Sequence, residues 1–176
     1  MRDHDRLLRL AQGPVSLTAS RQDGSSKRDL MDKDTEALEK LLSEQRLAVL
    51  ATSGTAGPYL SLVAFAAGAD RRSFYFSTSR NTRKWANLEG EKRVALLVDD
   101  RPEGSEDFSR SCAATITGEA RELSGAERDA ALKIYLARHP DLAQFADSPG
   151  SALLQVTVSG LYLVNGFRGD KPGFPA

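Results

Sequence analysis

"LAVLATSGTAGPYLSLVAFAAGADRRSFYFST", residues 47–78, holds three apolar runs (47–52, 58–66 and 73–78) separated by the polar, glycine-bearing breaks "SGTAG" and "GADRR". Short runs rich in Leu, Val, Phe and Tyr read as strands. The breaks are too short for a helical crossover, which a parallel pairing would need. The spacing therefore predicts an antiparallel meander joined by tight turns.

The flanks extend this pattern. Upstream, "DKDTEALEKLLSEQR" predicts a helix with Asp34 or Thr35 as N-cap, acidic residues in its early turns, and Leu38, Leu41 and Leu42 facing a core. Downstream, a helix over about 81–89 precedes a strand over 92–98. The acidic loop "DDRPEGSEDFSRS" then leads to a strand over 112–122. In "SGAERDAALKIYLARHP", Ser124 and Glu127 have capping-box spacing, and His139-Pro140 ends that helix and begins a short second one through about Ala146. "ALLQVTVSGLYLVNGF" reads as two strands around a Ser159-Gly160 turn. Six or seven strands with three or four helices, and few helical crossovers, disfavour a doubly wound sheet. The expected fold class is mainly β with flanking helices (α+β), a six- to seven-stranded antiparallel barrel.

Residues 1–30 are polar, Gly/Ser-bearing and without periodicity, so they read as a flexible arm ahead of a domain over 31–176, with Met31 as an alternative start. The chain of 176 residues is 40% hydrophobic, enough for one proper core, and its 24 Lys plus Arg balance 24 Asp plus Glu. That balance argues against a duplex nucleic-acid partner. A single cysteine, Cys112, excludes an internal disulfide and fits a reducing compartment. No apolar run approaches the roughly 20 residues of a membrane span, and the N-terminus lacks a signal-like apolar region. The expected setting is cytoplasmic, with no membrane partner.

The chemistry concentrates in "FYFSTSRNTRKWANL", residues 74–88. A strand ends in Ser77, Thr78 and Ser79, and Asn81 or Thr82 can cap a helix whose first turn carries Arg83 and Lys84. A helix N-terminus offers free N–H groups and partial positive charge, which favour a phosphate. Cations there oppose the helix dipole unless an anion sits with them. Such clusters also serve only as caps, so these residues alone leave both readings open. Neither a dinucleotide-binding nor a P-loop glycine pattern is present in the chain.

From about Glu44 to Gly166 the chain resembles the pyridoxamine-phosphate-oxidase-like family of FMN-binding split barrels. The resemblance rests on "LAVLATSGTAGPYLSLVAF", "FYFSTSRNTRKWANLEGEKRVALLV", "ATITGEARELS" and "YLARHPD". It implies a split barrel in which Ser61, Leu62, Val63 and Ala64 line the flavin ring. It also implies that Ser77, Thr78, Ser79, Thr82, Arg83 and Lys84 bind the phosphate of FMN, with Phe167 flanking the ring. Homodimers with flavin sites at the subunit interface, and a small-molecule substrate, follow from the same resemblance. The chain departs from the oxidase itself: Ser61 stands where that enzyme has Arg, Ala66 near a Lys position, and Ala113 near a Gln position. Pyridoxamine-phosphate oxidation is therefore not expected. "ARHPD" and "LVNGF" are closer to a branch linked to haem utilisation, though no histidine follows His139.

The reading is an FMN-dependent oxidoreductase of unassigned substrate, with no catalytic residue or metal site assigned. The alternatives are a non-catalytic flavin- or haem-binding module, or an F420-dependent reductase that would need more cations than Arg83, Lys84 and Arg80 supply. Of the remaining residues, Trp85 and Asn87 read as structural, Gly118 as a bulge or close backbone approach, and Cys112 as a buried small hydrophobe. His139 reads as a solvated or capping histidine, and His4 lies in the arm.

Overall fold

The computed structural model describes residues 27–100 and 111–165. The elements run α1 (Lys27–Glu44), β1 (Leu47–Gly54), β2 (Gly57–Ala67), β3 (Ser73–Ser79), α2 (Arg83–Gly90), β4 (Arg93–Asp99), β5 (Cys112–Glu122), α3 (Gly125–Arg138), a 3-10 turn (Pro140–Leu142), α4 (Ala143–Ala146) and β6 (Ser151–Asn165). Strand order is β1-β2-β3-β6-β5-β4, and β4 closes back on β1, so the six strands form a closed antiparallel barrel. The meander and the mainly-β class are as the sequence predicts.

Alternation builds the interior. Leu50, Val63, Phe65, Phe74, Phe76, Leu96, Ile116 and Val156 point inward and are buried together with Leu41 and Leu42 of α1 and Leu88 of α2. Full burial of such side chains contributes about 1.5–3 kcal/mol each, which is where the barrel's stability resides. A second apolar cluster lies outside the barrel, where Ala131 and Tyr135 of α3 cover Ala66, Leu153 and the partly buried Ala64 and Tyr75.

Four expectations are corrected. Helix α1 begins at Lys27, ahead of the expected caps Asp34 and Thr35. No Gly or Pro interrupts 27–44, and extending a helix costs less than starting one. Ser159-Gly160 is not a turn: β6 is one strand, and pairing jumps from Thr117↔Gly160 to Gly118↔Val158, leaving Ser159 as the extra residue of a bulge. Ser124 makes no side-chain cap bond, and the Glu127 carboxylate, the other half of a capping box, is held by Arg121 at 2.8 Å instead. His139 is the cap residue between the two helices, as the capping reading has it, but it is 2% exposed, which overturns the solvated one. Gly118 behaves as predicted: a Cβ there would lie 2.2 Å from the Thr157 carbonyl oxygen.

Candidate functional site

Strand β2 is paired unequally along its two edges. Toward β1 it is paired over eight residues, from Gly57↔Gly54 to Ala64↔Leu47. Toward β3 the register covers only Phe65↔Phe76, Ala66↔Tyr75 and Ala67↔Phe74. The barrel is thus split between residues 57–64 of β2 and the end of β3. The Phe65 N–H donates to Arg46 O on the β1 side. Backbone groups alternate in an antiparallel strand, so those of Ser61 and Val63 also face β1, while those of Leu60, Leu62 and Ala64 face the split.

Across the split stands the corner formed by the end of β3 and the start of α2. Thr82 is the N-cap: its Oγ1 accepts from the Trp85 N–H at 3.4 Å and donates to Ser79 O at 2.8 Å. Thr78 Oγ1 lies 3.3 Å from Thr82 Oγ1, and Ser79 Oγ accepts from the Asn81 N–H at 3.2 Å. Thr82 O takes the Ala86 N–H at 3.1 Å. The N–H groups of Arg83 and Lys84 therefore form the open end of α2, whose first turn carries no acidic residue. The Arg83 guanidinium lies 4.8 Å from the Tyr59 ring centroid. Among the described residues, neither Arg83 nor Lys84 makes an ion pair. Arg80 differs: it forms a forked pair with Glu122 and lies 4.7 Å from the Trp85 ring centroid. Its guanidinium is held still more firmly protonated by the hydrogen bonds it donates to Glu122, with burial opposing.

The structure brings Thr78, Ser79, Thr82, Arg83 and Lys84 to one corner facing the free edge of β2. It does not bring Ser77 there. Ser77 lies two residues deeper in β3 than Ser79, buried on the face of Tyr75 under α3, where its Oγ donates to Ala152 O at 3.2 Å. Val63 is likewise turned into the core. Leu62 projects outward and is 61% exposed, while Ala64 packs under α3. Phe167 lies outside the described residues. The sequence reading did not single out Tyr59, whose place beneath Arg83 carries no local sequence signal, nor Glu122, which lies far along the chain from Arg80.

The donor set of the corner is one that a phosphate group fits. The Ser61 hydroxyl is buried and has no hydrogen-bond partner within the protein, on the strand that borders the split. An unsatisfied buried hydroxyl costs about 1–3 kcal/mol, a deficit that a ligand's polar atom would relieve.

Elsewhere, a groove of about 570 Å³ runs along the outer wall past Ala51, Ser53, Arg93, Thr117, Glu119 and Ser159. It includes none of the corner's hydroxyls or cations. The donor chemistry, not the volume, locates the candidate site at the corner, because a phosphate is held by N–H groups and cations. No group of His, Cys, Asp and Glu among the described residues could hold a metal ion. Cys112 is buried, and burial pushes its thiol up to about 11. No helix among the described residues is long and apolar enough to cross a membrane.

A family model described as pyridoxamine 5'-phosphate oxidase matches residues 34–165. The chain belongs to this family. The match spans β1 to β6 and so includes both sides of the split. No curated protein matches the chain. Among solved structures it is similar to a haem-binding protein of Mycobacterium smegmatis, with a TM-score of 0.68 at 19% identity over 85% of this chain and 57% of that one. A haem storage protein of Vibrio cholerae superposes with a TM-score of 0.59 at 14% identity, covering 72% of this chain and 91% of its own. An FAD-binding protein of Mesorhizobium loti gives 0.54 at 19% identity, covering 72% and 89%. At these identities the likeness establishes the shared fold. The chain spans 57% and 61% of the first two structures it resembles.

Proposed function

We propose that the chain is an FMN-binding flavoprotein, an oxidoreductase passing hydride or electrons to or from a small molecule, and that it works as a homodimer. The observation that carries this reading is the corner itself, with two cations that lack carboxylate partners among the described residues at an open helix N-terminus, opposite a free strand edge. Arg83 and Lys84 would hold the phosphate, assisted by Thr78, Ser79 and the Thr82 cap. The backbone edge of Leu60, Leu62 and Ala64 would face the ring, with the Ser61 hydroxyl beside it. When bound, the flavin supplies the redox chemistry, and the protein supplies orientation and access.

The dimer is supported by the outer wall. One row across five strands reads Leu62, Val49, Leu97, Thr115, Tyr162, and the next reads Leu60, Ala51, Ala95, Thr117, Gly160. Leu47, Leu60, Leu62, Tyr162 and Val164 all stand exposed on it. A contiguous apolar patch on an otherwise charged protein marks an interaction surface, and a second copy offers the same face.

FMN is favoured over haem, although two structural neighbours are named for haem. His139 Nε2 is already bonded to Phe65 O at 2.8 Å, so iron could take that atom only after the bond breaks. The test is to purify the protein, extract any bound chromophore, and titrate the apoprotein with FMN and with riboflavin. FMN bound well above riboflavin, and bleached by NAD(P)H with colour restored by an acceptor, is the expected result. Failure to bind FMN at any concentration up to about a millimolar, roughly 4 kcal/mol of binding, would end the proposal.

A further inference from the structure

Arg80 stands at the rim of the corner, between Ser79 and Asn81, and its backbone N–H is fixed on Gly150 O at 2.9 Å. Only its side chain is free to choose a partner, and it chooses inward. Both guanidinium arms go to the two oxygens of Glu122 at the end of β5, one of them at 3.1 Å. Its plane rests on Trp85, a first-turn residue of α2. The pair is partly exposed, with side-chain exposures of 40% and 39%. Its main consequence is therefore one of charge rather than stability. A phosphomonoester carries up to about two negative charges. Arg83 and Lys84 balance those. A diphosphate or a polyacidic tail needs a third cation, and Arg80, on the loop that joins β3 to α2, is already paired.

We propose that Glu122 is a specificity-determining residue: by holding Arg80 in a forked pair it limits the corner to two uncommitted cations, selecting a single phosphomonoester over diphosphates and longer polyanions. This rests on the corner being the phosphate site. Glu122→Gln releases Arg80 without emptying space, so the third cation becomes available and the local negative charge disappears. The double variant Arg80→Gln/Glu122→Gln removes both charges and should restore the balance of the unmodified protein.

The experiment follows the amide signals of Thr82 to Trp85 by NMR while titrating inorganic phosphate and, separately, pyrophosphate, with FMN titrations alongside. In Glu122→Gln, pyrophosphate affinity should rise about fivefold and phosphate affinity at most about twofold, the scale of one additional screened charge. The double variant should match the unmodified protein for both ions. An unchanged pyrophosphate-to-phosphate ratio in Glu122→Gln overturns the proposal. So does a loss of about tenfold in phosphate affinity in the double variant, which would make Arg80 a direct ligand. If the unmodified protein binds neither phosphate nor FMN, the corner assignment itself falls and takes this inference with it. Binding with an unaltered ratio removes this inference alone.

Discussion

The Nε2 of His139 lies 2.8 Å from the carbonyl oxygen of Phe65, at the residue where the pairing of β2 passes from β1 to β3. The Phe65 N–H is used by Arg46 O, and the histidine takes the carbonyl, so both backbone groups are satisfied at the closed end of the split. The ring is 5.0 Å from that of Tyr135, whose own hydroxyl is pushed up to about 12 by burial, partly offset by a hydrogen bond from the Ser77 backbone. Tyr135 and His139, four residues apart in the chain, thus reach β3 and β2, the two strands that border the split.

Burial lowers the His139 proton affinity below its ordinary value of 6.5; the bond to Phe65 O opposes this, and Arg46 and Arg138 add to it. The unfolded chain therefore binds the proton more readily than the folded one. Stability is complete above pH 6.5, declines as pH falls from there toward the folded-state value, and levels off below it. Glu91, lowered to about 2 by Arg93, and Glu127, lowered by Arg121, act only in the more acid range. Calorimetry across pH 5 to 8 should show Tm falling on the acid side, and His139→Gln, which keeps an N–H donor, should flatten that slope. An identical slope in the variant would assign the effect to other groups.

Arg83→Ala with Lys84→Ala should weaken FMN at least tenfold, since each charge-assisted contact is worth about 1.5–3 kcal/mol. Riboflavin binding should be unaffected, because it lacks the phosphate. Thermal stability should change little: among the described residues Arg83 only stacks on Tyr59, and neither cation forms an ion pair. Fluorescence titration and a melting curve on one preparation check both halves.

Gly118→Ala and Gly54→Ala separate two kinds of close approach. At Gly118 the new Cβ meets backbone, Thr157 O at 2.2 Å, which cannot move without breaking the β5–β6 ladder. At Gly54 it meets Asn87 Oδ1, also at 2.2 Å, but that is a side chain able to rotate at the expense of its 3.0 Å bond to Thr52. Overpacking of the first kind typically costs about 1–3 kcal/mol, and loss of one hydrogen bond about 0.5–1.5. Denaturant unfolding should place Gly118→Ala below Gly54→Ala in stability, and the reverse order would mean that β6 yields locally.

The barrel was legible because its strands are short, alternate, and are joined by breaks too short for crossovers. The strand over 112–122 has the predicted bounds, and β2 extends the predicted 58–66 by one residue at each end. The Thr82 cap was legible because N-caps are local. What escaped the sequence was long-range. Glu127 has capping-box spacing but is drawn to Arg121, and His139 is buried by a carbonyl 74 residues away. Ser77 reads as one more hydroxyl beside Thr78 and Ser79, yet its Oγ is taken by the Ala152 carbonyl, 75 residues away. Ser159-Gly160 carries turn chemistry, but the same residue types serve a bulge once β5 holds the strand on both sides of it.

The exposed wall supplies the last prediction. Leu60 and Leu62 are among the most exposed large apolar residues, at 64% and 61%, and both lie on β2, beside the split. If a second copy covers this wall, Leu60→Glu with Leu62→Glu places carboxylates in an apolar contact, where each unpaired buried charge is strongly unfavourable. Both side chains point away from the core, so the fold should survive, which circular dichroism would show. Light scattering should then report a dimer for the unmodified protein and a monomer for the variant. FMN affinity should fall with the dimer even though Arg83 and Lys84 are intact, because the ring would lie along the same strand that the second copy covers. A monomeric unmodified protein that binds FMN tightly would instead show that each chain completes its own site.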